Sequence, residues 1–170
     1  MIREMERLPG GAHVVRFDTF PHARNSFYVG LAADMVFYLT ESPDGFNAMI
    51  RAAAVSVAGP EYALELARAY VETTRPMRHF GRLVNGAHDV PWLKARTAEA
   101  RQRLTAAIDA VAAAVAPPAV EEHANGHVIT AYVLYDKTIE RRTLGVAADG
   151  VVSEIERVTI ADDLPVPISR

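Results

Sequence analysis

Three pairs of turn residues, Asn125-Gly126, Asp136-Lys137 and Asp149-Gly150, punctuate the last third of the chain at near-regular intervals. Asn-Gly and Asp-Gly pairs adopt the left-handed dihedrals of a type I′ turn, the turn whose twist matches that of the strands it joins. The segments between them, HVITAYVLY, TIERRTLGVA and VVSEIERVTI, are rich in β-branched residues. With a shorter strand near Val120, this pattern predicts a four-stranded antiparallel meander. Side chains alternate along a strand. Tyr132 therefore shares a face with Val128, Thr130 and Leu134, and Tyr135 shares the other with Ile129, Ala131 and Val133. Both faces are apolar, so both are expected to be covered. The tail ADDLPVPISR is expected to pack across the sheet through Leu164.

Helical patterns fill most of the chain before the meander. GGAHVVRFDTF alternates as a short strand, and PHAR reads as a loop. NSFYVGLAADMVFYLTE is apolar on every side, with Asn25 as N-cap, and reads as a buried helix. Ser42 followed by Pro43 opens a second helix, which Gly59 and Pro60 end. A third runs from Pro60 to Pro76. In it Ala63, Leu66, Ala67, Tyr70 and Thr74 form the packed face, and Glu61, Glu65, Arg68, Glu72 and Arg75 form a stripe facing water. GRLV reads as a short strand and NGAHDVPW as a turn. A long helix with Leu104, Ile108, Val111 and Val115 along its seam runs to Pro117. The expected fold is one α+β domain over residues 1–170: an N-terminal strand and three helices, a long central helix, and the C-terminal meander packed on them.

Composition excludes more than it names. The net charge of −3 argues against nucleic-acid binding, which needs a basic surface to displace counterions. There is no cysteine, hence no disulfide and no thiolate metal site. No apolar run reaches the about 18 residues of a membrane helix, and the N-terminus has no apolar signal core, so a cytoplasmic protein off the membrane is expected. Abundant alanine, and arginine almost wherever a base is used, fit a GC-rich bacterial genome. No nucleotide-binding, nucleophile-elbow or zinc motif occurs, and no cofactor is expected. His123 and His127 fall on opposite faces of a hairpin, so a metal shared between them is not expected either.

Two places stand out as candidate sites. In the segment read as a buried helix, Phe27, Leu31, Asp34 and Tyr38 share one stripe. A carboxylate there must be paired or used, since an isolated buried charge is costly. The second is MRHFGRLVNGAHDVPW, residues 77–92, and the stretch after it. Six cations between residues 78 and 103 face only Asp89 and Glu99, several of them near the start of the long helix, where positive charge is unfavourable. An anion bound there would relieve the conflict. The plainer reading is a solvated face paired with Asp162 and Asp163.

Together these features are consistent with a metal-free acid/base enzyme (isomerase, cyclase or lyase type) acting on a small anionic metabolite. Asp34 and His79 would be its catalytic groups, and Arg82, His88, Tyr38 and Trp92 would hold the substrate. The alternative is a non-catalytic binding or accessory protein using its sheet or basic corner as a contact surface. The apolar sheet faces and the small-residue run AAIDAVAAAVA are compatible with a homodimer.

Overall fold

The computed structural model describes residues 2–18 and 26–167, with backbone alone for residues 2–7 and 9. Strands β1 (Ile2–Arg7), β2 (His13–Asp18), β3 (Ser26–Ala32) and β4 (Met35–Tyr38) form one antiparallel sheet in that order. The expected PHAR loop and Asn25 cap lie outside the described residues.

The buried helix expected from Asn25 to Glu41 is instead the β3–β4 hairpin. Ser26, Tyr28, Gly30 and Ala32 are buried while Phe27, Val29 and Leu31 are less so, which is the period of a strand. Ala33 and Asp34 make the two-residue turn, both at positive φ (48° and 61°). Gly30 is required by packing, since a Cβ there would lie 2.2 Å from Met49 Sδ.

Helices α1 (Pro43–Ala52) and α2 (Pro60–Thr73) follow. Ser42 Oγ accepts the Gly45 N–H at 3.1 Å and Pro43 occupies the first turn, as expected. Helix α1 ends earlier than Gly59. Ala54 turns left-handed at φ 50°, and the N–H groups of Ala54 and Val55 return to the carbonyls of Arg51 and Ile50. Phe46, Met49 and Ile50 of α1, and Ala63, Leu66, Ala67 and Tyr70 of α2, are buried between the first sheet and a second one. Asn47 ties α1 to the second sheet by exchanging two 2.9 Å hydrogen bonds with the backbone of Val152.

The second sheet has five strands, not the four expected: β5 (Gly81–Val84), β6 (Ala119–His123), β7 (Gly126–Tyr135), β8 (Thr138–Ala147) and β9 (Val152–Ala161). β6 and β5 share one edge of β7, along Gly126–Thr130 and Tyr132–Tyr135 respectively. Asp136-Lys137 is a two-residue turn as predicted. The first turn is Ala124-Asn125, because His123 pairs with Gly126. The third is a three-residue loop closed by Gly150 at φ 79°.

Strand β9 carries two irregularities against β8. Leu144 faces Glu154 but Thr143 faces Glu156, so Ile155 is an extra residue. This bulge reverses the alternation, and Glu154 and Arg157 emerge on the same face although three positions apart. Ile160 is the extra residue of the second irregularity, between Glu140–Thr159 and Ile139–Ala161.

The opposite face of the second sheet is also covered. Leu134 and Ile139 pack with Val84, Val90, Val111 and Val115 and with Leu164 and Val166 of the tail. Val111 and Val115 belong to α3 (Ala98–Ala114) and its C-cap, and Thr97 Oγ1 caps the helix start through the Ala100 N–H. The layers are therefore sheet, α1 and α2, sheet, then α3 with the tail. Among the described residues no helix is long and apolar enough to cross a membrane.

Candidate functional site

Strand alternation places Glu140 and Arg142 of β8 on the same face as Leu144 and Val146, turned toward α1 and α2. Both charged residues are buried, at 8% and 7% exposure. Arg142 donates Nε–H (2.8 Å) and Nη2–H (2.5 Å) to Glu140 Oε2. The bulge brings β9 into the same network. Arg157 makes a two-pronged bond to Glu154 at 2.9 and 2.8 Å, and Glu154 Oε2 stands 3.7 Å from Arg142 Nη1. The hydrogen bond to Glu154 raises the affinity of Arg157 for its proton above that of an ordinary guanidinium, against the opposing effect of burial.

A third arginine arrives from the other side. Arg75 follows the C-terminus of α2 and is buried, at 8% exposure. It does not belong to the water-facing stripe expected of that helix, because the helix ends at Thr73 and the chain turns inward. Its guanidinium donates to Ser26 Oγ (2.9 Å), Tyr28 Oη (3.0 Å) and the carbonyls of Pro76 and His79, and lies 5.2 Å from the centre of the Tyr28 ring. All four acceptors are neutral. Among the described residues no carboxylate lies within ion-pair distance of Arg75.

The three arginines line one cavity of about 200 Å³, with Glu154, Tyr70, Tyr135, Thr74, Pro43 and Pro76 completing its wall. Tyr70 stands edge-on to Phe46, 5.4 Å between ring centres. Tyr135 lies under Arg142, its ring centre 5.9 Å from the guanidinium carbon. Burial raises the pKa of both phenols, with the charge of Glu154 adding to the effect at Tyr70 and that of Asp136 at Tyr135. At neutral pH both are uncharged O–H donors.

The residues singled out in the sequence are scattered. Asp34 is exposed at the tip of the β3–β4 turn, not on a buried stripe, and makes no ion pair among the described residues. Arg82 and His79, the cations expected nearest to it, lie in and before β5 of the other sheet. Tyr38 is half exposed on β4, its ring 6.3 Å from that of Phe27. Arg82 is exposed and donates to the Asp89 carbonyl. His88 is exposed beside Asp89, and Trp92 is part-buried, its Nε1–H on the Ala87 carbonyl at 2.8 Å. The basic stretch is a solvated face, and Arg103 within it lies 3.7 Å from Asp163.

His79 alone among these touches residues of the cavity wall, without lining the cavity itself. Its ring stacks on Tyr135 at 5.2 Å, its Nδ1 is 2.5 Å from Asp136 Oδ2, and its carbonyl accepts from Arg75. His123 and His127 do lie on opposite faces, since His127 pairs with Glu122. The alternation of Glu140 and Arg142 with apolar residues on a strand is the readable signal for the cavity.

No protein-family model, no curated protein and no solved structure matches the chain.

Proposed function

We propose that the chain binds a small anionic organic molecule in the cavity between α2 and the second sheet. Arg75 carries the reading. A buried cation whose partners are all neutral is unfavourable until an anion joins it, and Arg75 opens onto a cavity that can admit one. Glu140 and Glu154 are each committed to an arginine, so neither is a free base. His79, which Asp136 would orient as a proton acceptor, reaches the cavity only past the ring of Tyr135. Binding is therefore favoured over the acid/base enzyme. If proton transfer occurs on the bound anion, His79 is the group for it.

The test is thermal denaturation in sodium benzoate, acetate, succinate or phosphate against sodium chloride at matched ionic strength. An anion that binds the folded state alone adds about 2.7 kcal/mol at a concentration 100 times its Kd. At least one of the four is expected to raise Tm over chloride. Arg75→Met should unfold at a lower temperature, because it also frees Ser26 and Tyr28, and should lose the anion response. An equal response in Arg75→Met would place the anion elsewhere, and no response to any anion in the native protein would end the proposal.

A further inference from the structure

The same cavity specifies a class of ligand, on the premise that it binds an anion as proposed above. Three guanidiniums and one carboxylate, Glu154, line the cavity, and Glu140 behind the wall offsets Arg142, so this network is short of one negative charge. A monoanion balances it. A dianion such as phosphate or succinate would bring a second negative charge beside Glu154, which lines the same cavity.

Donor supply agrees with the charge. Nε of Arg75, Nη1 of Arg142 and Nη1 of Arg157 have no hydrogen bond within 3.5 Å among the described residues, whereas the other nitrogens of these groups are engaged. Each guanidinium thus keeps a nitrogen for an added acceptor, and a planar carboxylate has four lone pairs to offer. Tyr70 and Tyr135, both protonated, can add O–H donors without repelling it.

The remaining wall consists of the Tyr70 and Tyr135 rings with Thr74, Pro43 and Pro76. The rings and prolines reward a flat apolar body. A cavity of about 200 Å³ has room for one ring and its acid group. We infer that the ligand is a compact monocarboxylic acid with a ring or branched apolar body, its carboxylate among the three arginines and its body between Tyr70 and Tyr135.

Calorimetric titration with benzoate, acetate, succinate and inorganic phosphate at equal ionic strength tests this. Benzoate is expected to bind at least tenfold tighter than each of the other three. Tyr135→Leu, on a residue that is only part-buried, should fold and reduce the benzoate-to-acetate preference several-fold. Arg157→Met should weaken benzoate and acetate alike. Succinate or phosphate binding tighter than benzoate in native protein, and lost in Arg75→Met, would leave the anion site standing and overturn the monocarboxylate assignment. Acetate matching benzoate would remove the ring-binding wall. If none of the four binds, the anion reading itself fails and takes this inference with it.

Discussion

His127 carries an imidazole Nδ1 that is buried in the second sheet with no hydrogen-bond partner among the described residues. It sits opposite Val146 on the face that packs toward α1 and α2. A buried polar atom left unpaired costs about 1–3 kcal/mol. His127→Leu is therefore expected to stabilise the fold by roughly 1 kcal/mol, read as a higher urea midpoint with an unchanged slope. A lower midpoint would mean the imidazole is bonded after all. Arg75 is the contrasting case, since nearly all its donors are used yet its charge is not offset. In the sequence it continues the polar spacing of Glu61, Glu65, Arg68 and Glu72, and nothing there marks the inward turn after Thr73. Asp34 misleads for the opposite reason: as one carboxylate in an apolar segment it looks buried, yet it occupies a turn that short polar residues tolerate at positive φ.

At the scale of elements, the Ile155 bulge decides which side chains meet. Without it, Glu154 and Arg157 would stand on opposite faces, and the pair that borders the cavity would not exist. Deleting Ile155 removes the extra residue along with the bulge, so the ladder runs on regularly with Glu154 opposite Leu144 and Arg157 opposite Arg142, both still on the cavity face. Ile155 is itself exposed, so the deletion is expected to keep the anion response and to cost no more than about 1 kcal/mol, measured by thermal shift and urea denaturation. A deletion variant that loses the anion response would refute this assignment of faces. A bulge leaves no mark in composition, so half of the cavity's charged network is illegible in the sequence. The strands β7 to β9 are legible because alternation and turn residues agree with each other. β3 and β4 are not, for three reasons. Their residues are apolar on both faces, β4 has only four residues, and their turn is Ala-Asp, which lacks the glycine that signals a hairpin. The fifth strand of the second sheet, β5, is readable as a strand but not as a neighbour of β7, because that pairing joins distant parts of the chain.

For the whole molecule, the exposed apolar surface is unevenly spread. Leu31, Met35, Val36 and Tyr38 are all at least 39% exposed and all lie on the β3–β4 hairpin at the edge of the first sheet. Leu31, Val36 and Tyr38 share one face of that hairpin, and Met35 lies on the other. The two sheets are built from separate stretches of chain, residues 2–38 and 81–161, so each closes its own short-range pairings before the two need to meet. Arg75 is where they meet: one guanidinium grips Ser26 and Tyr28 of the first sheet while bordering a cavity whose other wall is the second. An anion bound there as proposed would act as mortar through Arg75, and its concentration would set how far the two halves of the molecule melt together or apart.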